Sequence, residues 1–170
     1  MRVAVTGTPG TGKTTATERL ETDLDVIHLN DVIEREGFID REDADRDTAV
    51  VDMDAVDDWL AGRDEVVVDS HLAHHFEMDR VVVCRCQPAE LEARLRARGE
   101  PAAKAKENAE SEALDVILSE AVDRHGTEAV YEIDTTDRSI DTVTAAIEAV
   151  IEGRREPSAG TVSFVGYLEQ

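Results

Sequence analysis

Gly7-Thr8-Pro9-Gly10-Thr11-Gly12-Lys13-Thr14 is a complete G-x-x-x-x-G-K-[ST] pattern. It is entered from the apolar run Val3-Ala4-Val5 and left through Thr14-Thr15-Ala16-Thr17-Glu18-Arg19-Leu20, which is helix-compatible. A strand before and a helix after separate a phosphate-binding loop from a chance match. The glycines let successive backbone N–H groups turn inward as an anion nest, and the following helix adds its positive dipole end. In such a loop Lys13 reaches the β- and γ-phosphates and the Thr14 hydroxyl holds Mg²⁺. The expected ligand is a nucleoside triphosphate.

Outward from the loop, short β-rich runs alternate with helical patterns. Arg2–Thr6, Val26–Leu29, Glu65–Asp69, Arg80–Cys86 and Ala129–Asp134 read as strands buried on both faces. Helices are predicted over 13–23, 30–36, 52–62, 88–98, 104–124 and 139–152, with Pro88 in a first turn and Gly37, Gly62 and Gly99 at helix ends. This alternation predicts an α/β P-loop NTPase with a five-stranded parallel sheet flanked by helices on both faces. Residues 1–152 read as one domain and 153–170 as a tail. Within the tail, Gly153–Gly160 reads as a linker and Thr161–Leu168 has strand-like alternation. It could add an edge strand, dock, or await a partner; a loosely docked end is the expectation.

The chain of 170 residues carries a net charge of −21 with 41% hydrophobic residues, so it is acidic without the composition of a disordered segment. Its only lysines are Lys13, Lys104 and Lys106. Acidic side chains filling the usual lysine positions resemble a salt-in halophile surface, with instability in low salt as the corollary. No basic face points to a membrane or to non-specific nucleic-acid binding. Cys84 and Cys86 alternate on a predicted strand and read as buried small hydrophobes, not a redox or zinc pair. With no signal-peptide pattern and no apolar stretch of membrane-spanning length, a cytoplasmic location is expected.

A P-loop enzyme needs a second acid at the end of a neighbouring strand to orient Mg²⁺ through its water shell. Glu65-Val66-Val67-Val68-Asp69 supplies Asp69; Asp134 is the competitor, but Thr135-Thr136-Asp137-Arg138 after it looks more like a base-contacting loop. His71 lies two residues past Asp69 on the same side of the chain and should face the phosphates, as hydrogen-bond donor or general base. A metal site on His71, His74 and His75 lacks a cysteine or carboxylate spaced to complete it. His74 and His75 read as packing or surface residues. Arg94 and Arg98, at i and i+4, are expected on one helix face as planar donors to transferring phosphate, with Arg96 pointing elsewhere. Lys104 and Lys106 follow in a short segment of the kind that covers a triphosphate.

The set GTPGTGKTT, IHLND, DSHLAHHF, RC-x-P-x-x-L-x-x-RL-x-x-RG and K-x-K-EN-x-E-x-E resembles the archaeal and eukaryotic nuclear-type adenylate kinases over about residues 1–150. These are small nucleoside monophosphate kinases with ATPase activity that also act in assembly of the small ribosomal subunit. The resemblance implies that Gly10, Thr11, Gly12, Lys13, Thr14 and Thr15 hold the ATP phosphates. Asn30 and Asp31 would open the monophosphate-binding helix, within a segment of about 30–60 that also offers Arg35. Asp69 and His71 would form a Walker-B-like pair, with Thr14 and Asp69 on Mg²⁺ and His71 in ATP hydrolysis. Arg94 and Arg98 would flank a short lid of about 99–107, and the loop with Thr136 and Arg138 would lie near the adenine. The implied reaction is transfer from MgATP to AMP. A small-subunit ribosomal protein or pre-ribosome, with maturation of 16S rRNA, is the implied partner side.

The chain departs from ordinary adenylate kinases at three points. Glu34 stands where an arginine grips the AMP phosphate, with Arg35 one position later; Asp69-Ser70-His71-Leu72 replaces a D-G-x-P-R loop; and the long lid is missing. Arg35, Arg41 or Arg46 could take over the acceptor phosphate. The alternative reading is therefore a partner-regulated assembly ATPase with little kinase activity. No N-K-x-D motif supports a GTPase, and kinases of other small metabolites stay open.

Overall fold

The computed structural model describes residues 1–43 and 48–169, with the side chains at 41–49 outside the described set. Among the described residues, seven strands and seven α-helices follow in chain order: β1 Arg2–Thr6, α1 Lys13–Thr17, β2 Asp25–His28, α2 Leu29–Glu36, β3 Ile39–Asp43, β4 Thr48–Val51, α3 Met53–Leu60, β5 Val66–Asp69, β6 Arg80–Arg85, α4 Pro88–Ala97, α5 Ala102–Ala113, α6 Val116–His125, β7 Val130–Asp134 and α7 Ile140–Ile151. Five strands form the main sheet in the order β2-β5-β1-β6-β7, every neighbouring pair parallel. These are the five strands predicted, and the α/β P-loop fold stands as expected.

The strands are mostly apolar because the pleat sends alternate residues into two cores. Ala4, Val68, Val81 and Val83 pack with Leu29, Val32, Val56, Leu60 and Leu118 from α2, α3 and α6. Val3, Val5, Val67, Val82 and Cys84 pack with Ala16, Val143, Ile147 and Val150 from α1 and α7. Burying one such side chain is worth ~1.5–3 kcal/mol, so both helix layers are held by the same five strands. A third cluster, Cys86, Leu91, Leu95 and Ala105, joins α4 to α5.

Three elements depart from the sequence reading. Between α2 and α3 the chain forms an antiparallel hairpin, β3–β4, where helical segments and an acidic connection were expected. The β-branched run Thr48-Ala49-Val50-Val51 accounts for its second strand. The helix expected over 104–124 is two helices, broken at Asp115, whose φ of 55° is left-handed. Asp115 is drawn there by its bond to the Arg85 guanidinium. The segment 99–107, expected as a lid, is a short connection followed by the first turns of α5, since Ala102, Ala103 and Ala105 are strong helix formers. Of the arginines named for the acceptor phosphate, Arg46 and the Arg41 side chain lie outside the described residues.

Among the described residues the tail forms no strand, but it is docked. Ser158 donates its N–H to Val130 O and accepts the Glu132 N–H on its hydroxyl, while Thr161 donates to Glu132 Oε1. Phe164 lies over the Arg85 guanidinium and Tyr167 donates to Glu92. Among the described residues no helix is long and apolar enough to cross a membrane.

Candidate functional site

The loop after β1, the end of β2 and the end of β5 converge because these strands are neighbours in parallel register, with Val5 and His28 both opposite Asp69. Ligand sites in open α/β sheets lie at such carboxyl ends. Gly7 is required there by close approach: a Cβ on it would sit 2.5 Å from the Cys84 carbonyl oxygen. Gly12 caps α1 at a left-handed φ of 91°, and a Cβ there would meet nothing within 4 Å, so the space before the helix is open. Gly12, Thr14 and Thr15 are exposed in that space, whereas Thr11 is buried and turns its hydroxyl back to Thr8 O.

Lys13 is buried and donates to Gly7 O and Thr8 O, at 2.9 and 3.2 Å. Burial pushes its ammonium below the ordinary lysine range, against the opposing pull of Cys84, Asp69 and Glu112. A cation held dehydrated beside an anion nest gains strongly from a phosphate. Thr14 donates to Asp69 Oδ2 at 2.8 Å. His28 Nδ1 lies 2.8 Å from the same oxygen. Asp69 Oδ1 is buried with no hydrogen-bond partner among the described residues. A hydroxyl and a carboxylate oxygen left over in one wall are the hard oxygen donors that Mg²⁺ takes, so the residues fit the metal the motif implies.

A cleft of about 480 Å³ runs from Lys13 and Thr14 past Asp69 and His71 to Asn30 and Asp31, with Arg98 on its rim. Asn30 is fixed by Ser70, whose hydroxyl donates to Asn30 Oδ1 at 2.9 Å. His71 lowers to a pKa of about 4, first through burial and then through the charge of Lys13, so it is a neutral imidazole at pH 7.

The two arginines, at i and i+4 on α4, line two neighbouring spaces beside the loop. Arg94 reaches Gly10 O and Thr135 O and pairs with Glu90 at 2.9 Å. It lines a separate pocket of about 150 Å³ beyond the loop, with Arg138, Ile140 and Val143. Arg98, the C-cap of α4, still donates its N–H to Arg94 O and is exposed in the phosphate cleft. Thr136 does not line either space; its hydroxyl donates to Asp134 and accepts the Gln87 N–H. Arg35 sits in an adjoining pocket with Trp59 and pairs with Glu36 at 3.4 Å. Lys104 lies 3.8 Å from Glu100, in a cleft other than that of the phosphates.

Two site residues escaped the sequence reading. His28 closes on Asp69, and its signal was the register of two adjacent strands. Glu112 is 3% exposed and accepts from Thr8 Oγ1, from the Cys86 N–H and from Arg85 Nε. Arg85, fully buried, also binds Glu132 and Asp115. The spacing of acids after the lysines was visible, but only the fold turns Glu112 inward.

Residues 3–115 match the family model described as AAA domain. A protein of Natronomonas pharaonis named "Putative adenylate kinase" is 64% identical over 168 residues, 99% of this chain and 100% of that protein. One of the same name in Halobacterium salinarum is 63% identical over 169 residues, again 99% of this chain and all of the relative. Among solved structures, a shikimate kinase from Bacteroides thetaiotaomicron aligns over 89% of this chain and 98% of its own with a TM-score of 0.56 at 20% identity, a likeness of fold alone.

Proposed function

The chain belongs to the AAA domain family and to the family represented by those Natronomonas and Halobacterium proteins, and on that premise we propose that it is an adenylate kinase. In this reading it transfers the γ-phosphoryl group of MgATP to AMP, giving two ADP. The observation that carries it is the single cleft joining Lys13 and Thr14 to Asn30 and Asp31. A donor triphosphate on the loop and an acceptor at the start of α2 then lie in one space, which proximity requires.

Each residue has a part in that reaction. The loop from Gly10 to Thr15 cradles the donor phosphates, and Lys13 neutralises charge at the β/γ bridge. Thr14 and Asp69 would hold Mg²⁺, which would supply further neutralisation of the phosphate oxygens. Arg98, the exposed guanidinium on the rim, meets charge that develops on the equatorial oxygens. Arg94 and Arg138 bound the pocket for the base, and Thr136 fixes the loop beside it. Residues 1–152 act as the catalytic unit, with 30–60 receiving the acceptor and 99–107 covering the phosphates.

A second reading is favoured by the acceptor side. Glu34 and Asp31 are exposed there, while Arg35 is turned to Glu36. A poorly held acceptor leaves water to compete, and the neutral His71 imidazole can accept a hydrogen bond from it. That is an ATPase whose hydrolysis serves a partner, for which the resemblance points to the maturing small ribosomal subunit.

The test is turnover in molar KCl with MgATP, with and without AMP, following ADP and inorganic phosphate separately. Two ADP per AMP consumed, without phosphate, is the kinase result. Phosphate release indifferent to AMP overturns the first reading in favour of the second.

A further inference from the structure

The histidines that follow the Asp69-x-His71 strand end meet a carboxylate from elsewhere in the chain. His74 and His75 sit in a 3-10 turn, Ala73–His75, against α6. Glu120 of α6 brings Oε2 to 3.3 Å from His75 Nε2 and 3.7 Å from His74 Nε2. The three ligand atoms all lie within 4.8 Å of one another. Along the sequence no carboxylate is spaced to complete a site with these histidines; the packing of α6 supplies it.

His74 is built as a ligand is built. It is 1% exposed, and its Nε2 has no hydrogen-bond partner among the described residues. Its other ring nitrogen, Nδ1, lies 2.7 Å from Thr6 Oγ1, a contact that fixes the ring. His125 Nε2 lies 2.8 Å from the His74 carbonyl, holding the turn itself. A metal-bound histidine shows this arrangement, with one nitrogen free and the other tied down.

We propose that His74 Nε2, His75 Nε2 and a Glu120 carboxylate oxygen form a site for a Zn²⁺-class divalent ion, apart from the Mg²⁺ position at Thr14 and Asp69. Two imidazoles and a carboxylate are a zinc donor set, and Zn–N and Zn–O bonds of ~2.0–2.2 Å need ligand atoms roughly 3.3 Å apart. The two histidine–carboxylate separations, 3.3 and 3.7 Å, are close to that, and the two imidazole nitrogens lie within 4.8 Å of each other. The fourth position opens on a cleft of about 620 Å³ shared with His71, Lys104 and Asn108. Bound metal would clamp the turn after His71 to α6. His71 lines both this cleft and the phosphate cleft, so the clamp stands one residue from the nucleotide.

The test uses the full chain after chelator treatment, in molar KCl and without nucleotide, so its outcome is separate from that of the kinase reading. Zn²⁺ titration by calorimetry is expected to give one ion per chain, and Co²⁺ to give the visible bands of a tetrahedral site. Glu120→Gln and His75→Ala are expected to weaken Zn²⁺ binding at least about tenfold while leaving the metal-free melting curve in place. His74 is spared because its bond to Thr6 makes it structural. Absence of stoichiometric binding, or binding unchanged in both variants, overturns the proposal.

Discussion

The Thr8 hydroxyl donates to Glu112 Oε1 at 3.0 Å, tying the phosphate-binding loop to a helix 104 residues further along the chain. The same carboxylate neutralises Arg85, so one buried acid sets both the loop and the core beneath it. Glu112→Ala removes a partner from a buried ion network, which typically costs ~3–5 kcal/mol. Glu112→Gln keeps an acceptor for one neighbour and should cost less. Guanidinium unfolding at fixed ionic strength measures both; a Glu112→Ala midpoint equal to wild type would mean the network carries no stability.

Gly7 and Gly12 separate packing from ligand space. Gly7→Ala places a methyl 2.5 Å from backbone oxygen and should lose several kcal/mol of stability, of order ~3, through overpacking and strain. Gly12→Ala meets no neighbour but carries left-handed strain, for about 1 kcal/mol. Its larger effect should be on the nucleotide, whose space the methyl enters. Melting curves and ATP titration of the two variants are expected to rank in opposite orders.

Burial raises the Cys84 thiol to about 12 and the Cys86 thiol to about 11. Both should resist thiol reagents at pH 8 in the folded protein and react fully once it is unfolded. The sign of the linkage follows: below pH 9 both states keep the protons and nothing changes. Above pH 9 the unfolded chain sheds them while the fold retains them, so stability falls by up to about 1.4 kcal/mol per pH unit per thiol. Denaturation midpoints between pH 9 and 11 test this.

A net charge of −21 repels itself across ~10 Å at 0.1 M salt but only ~3 Å at 1 M. The melting temperature should therefore rise steeply from 0.1 to 1 M KCl. A flat response would remove the halophile reading of the composition.

The loop, all five sheet strands and Asp69 at a strand end were legible because each is a local pattern: glycine spacing, apolar runs, an acid closing a run. What was not legible depends on partners distant in sequence. Leu114-Asp115 looks like ordinary helix until Arg85, on β6, pulls Asp115 out of it. His28 acquires a role only when β2 lands beside β5. Arg94 and Arg98 keep their i, i+4 relation on α4, but which space each lines depends on the loops packed against the helix. Arg94 goes to Thr135 and Arg98 to the cleft. The hairpin at 39–51 was masked by the acids of its first strand.

The docked tail has a colloidal consequence. Parallel sheets end in strands with one side unsatisfied, and such rims invite a second molecule to add on. At β7 the Val130 and Glu132 backbone groups are already occupied by Ser158 and Arg155. The opposite rim, β2, is four residues long. When concentrated salt cancels the repulsion between like-charged molecules, steric occupancy takes over as the barrier to stacking. Residues 155–161, lying on the β7 rim, occupy backbone groups that a second molecule would need.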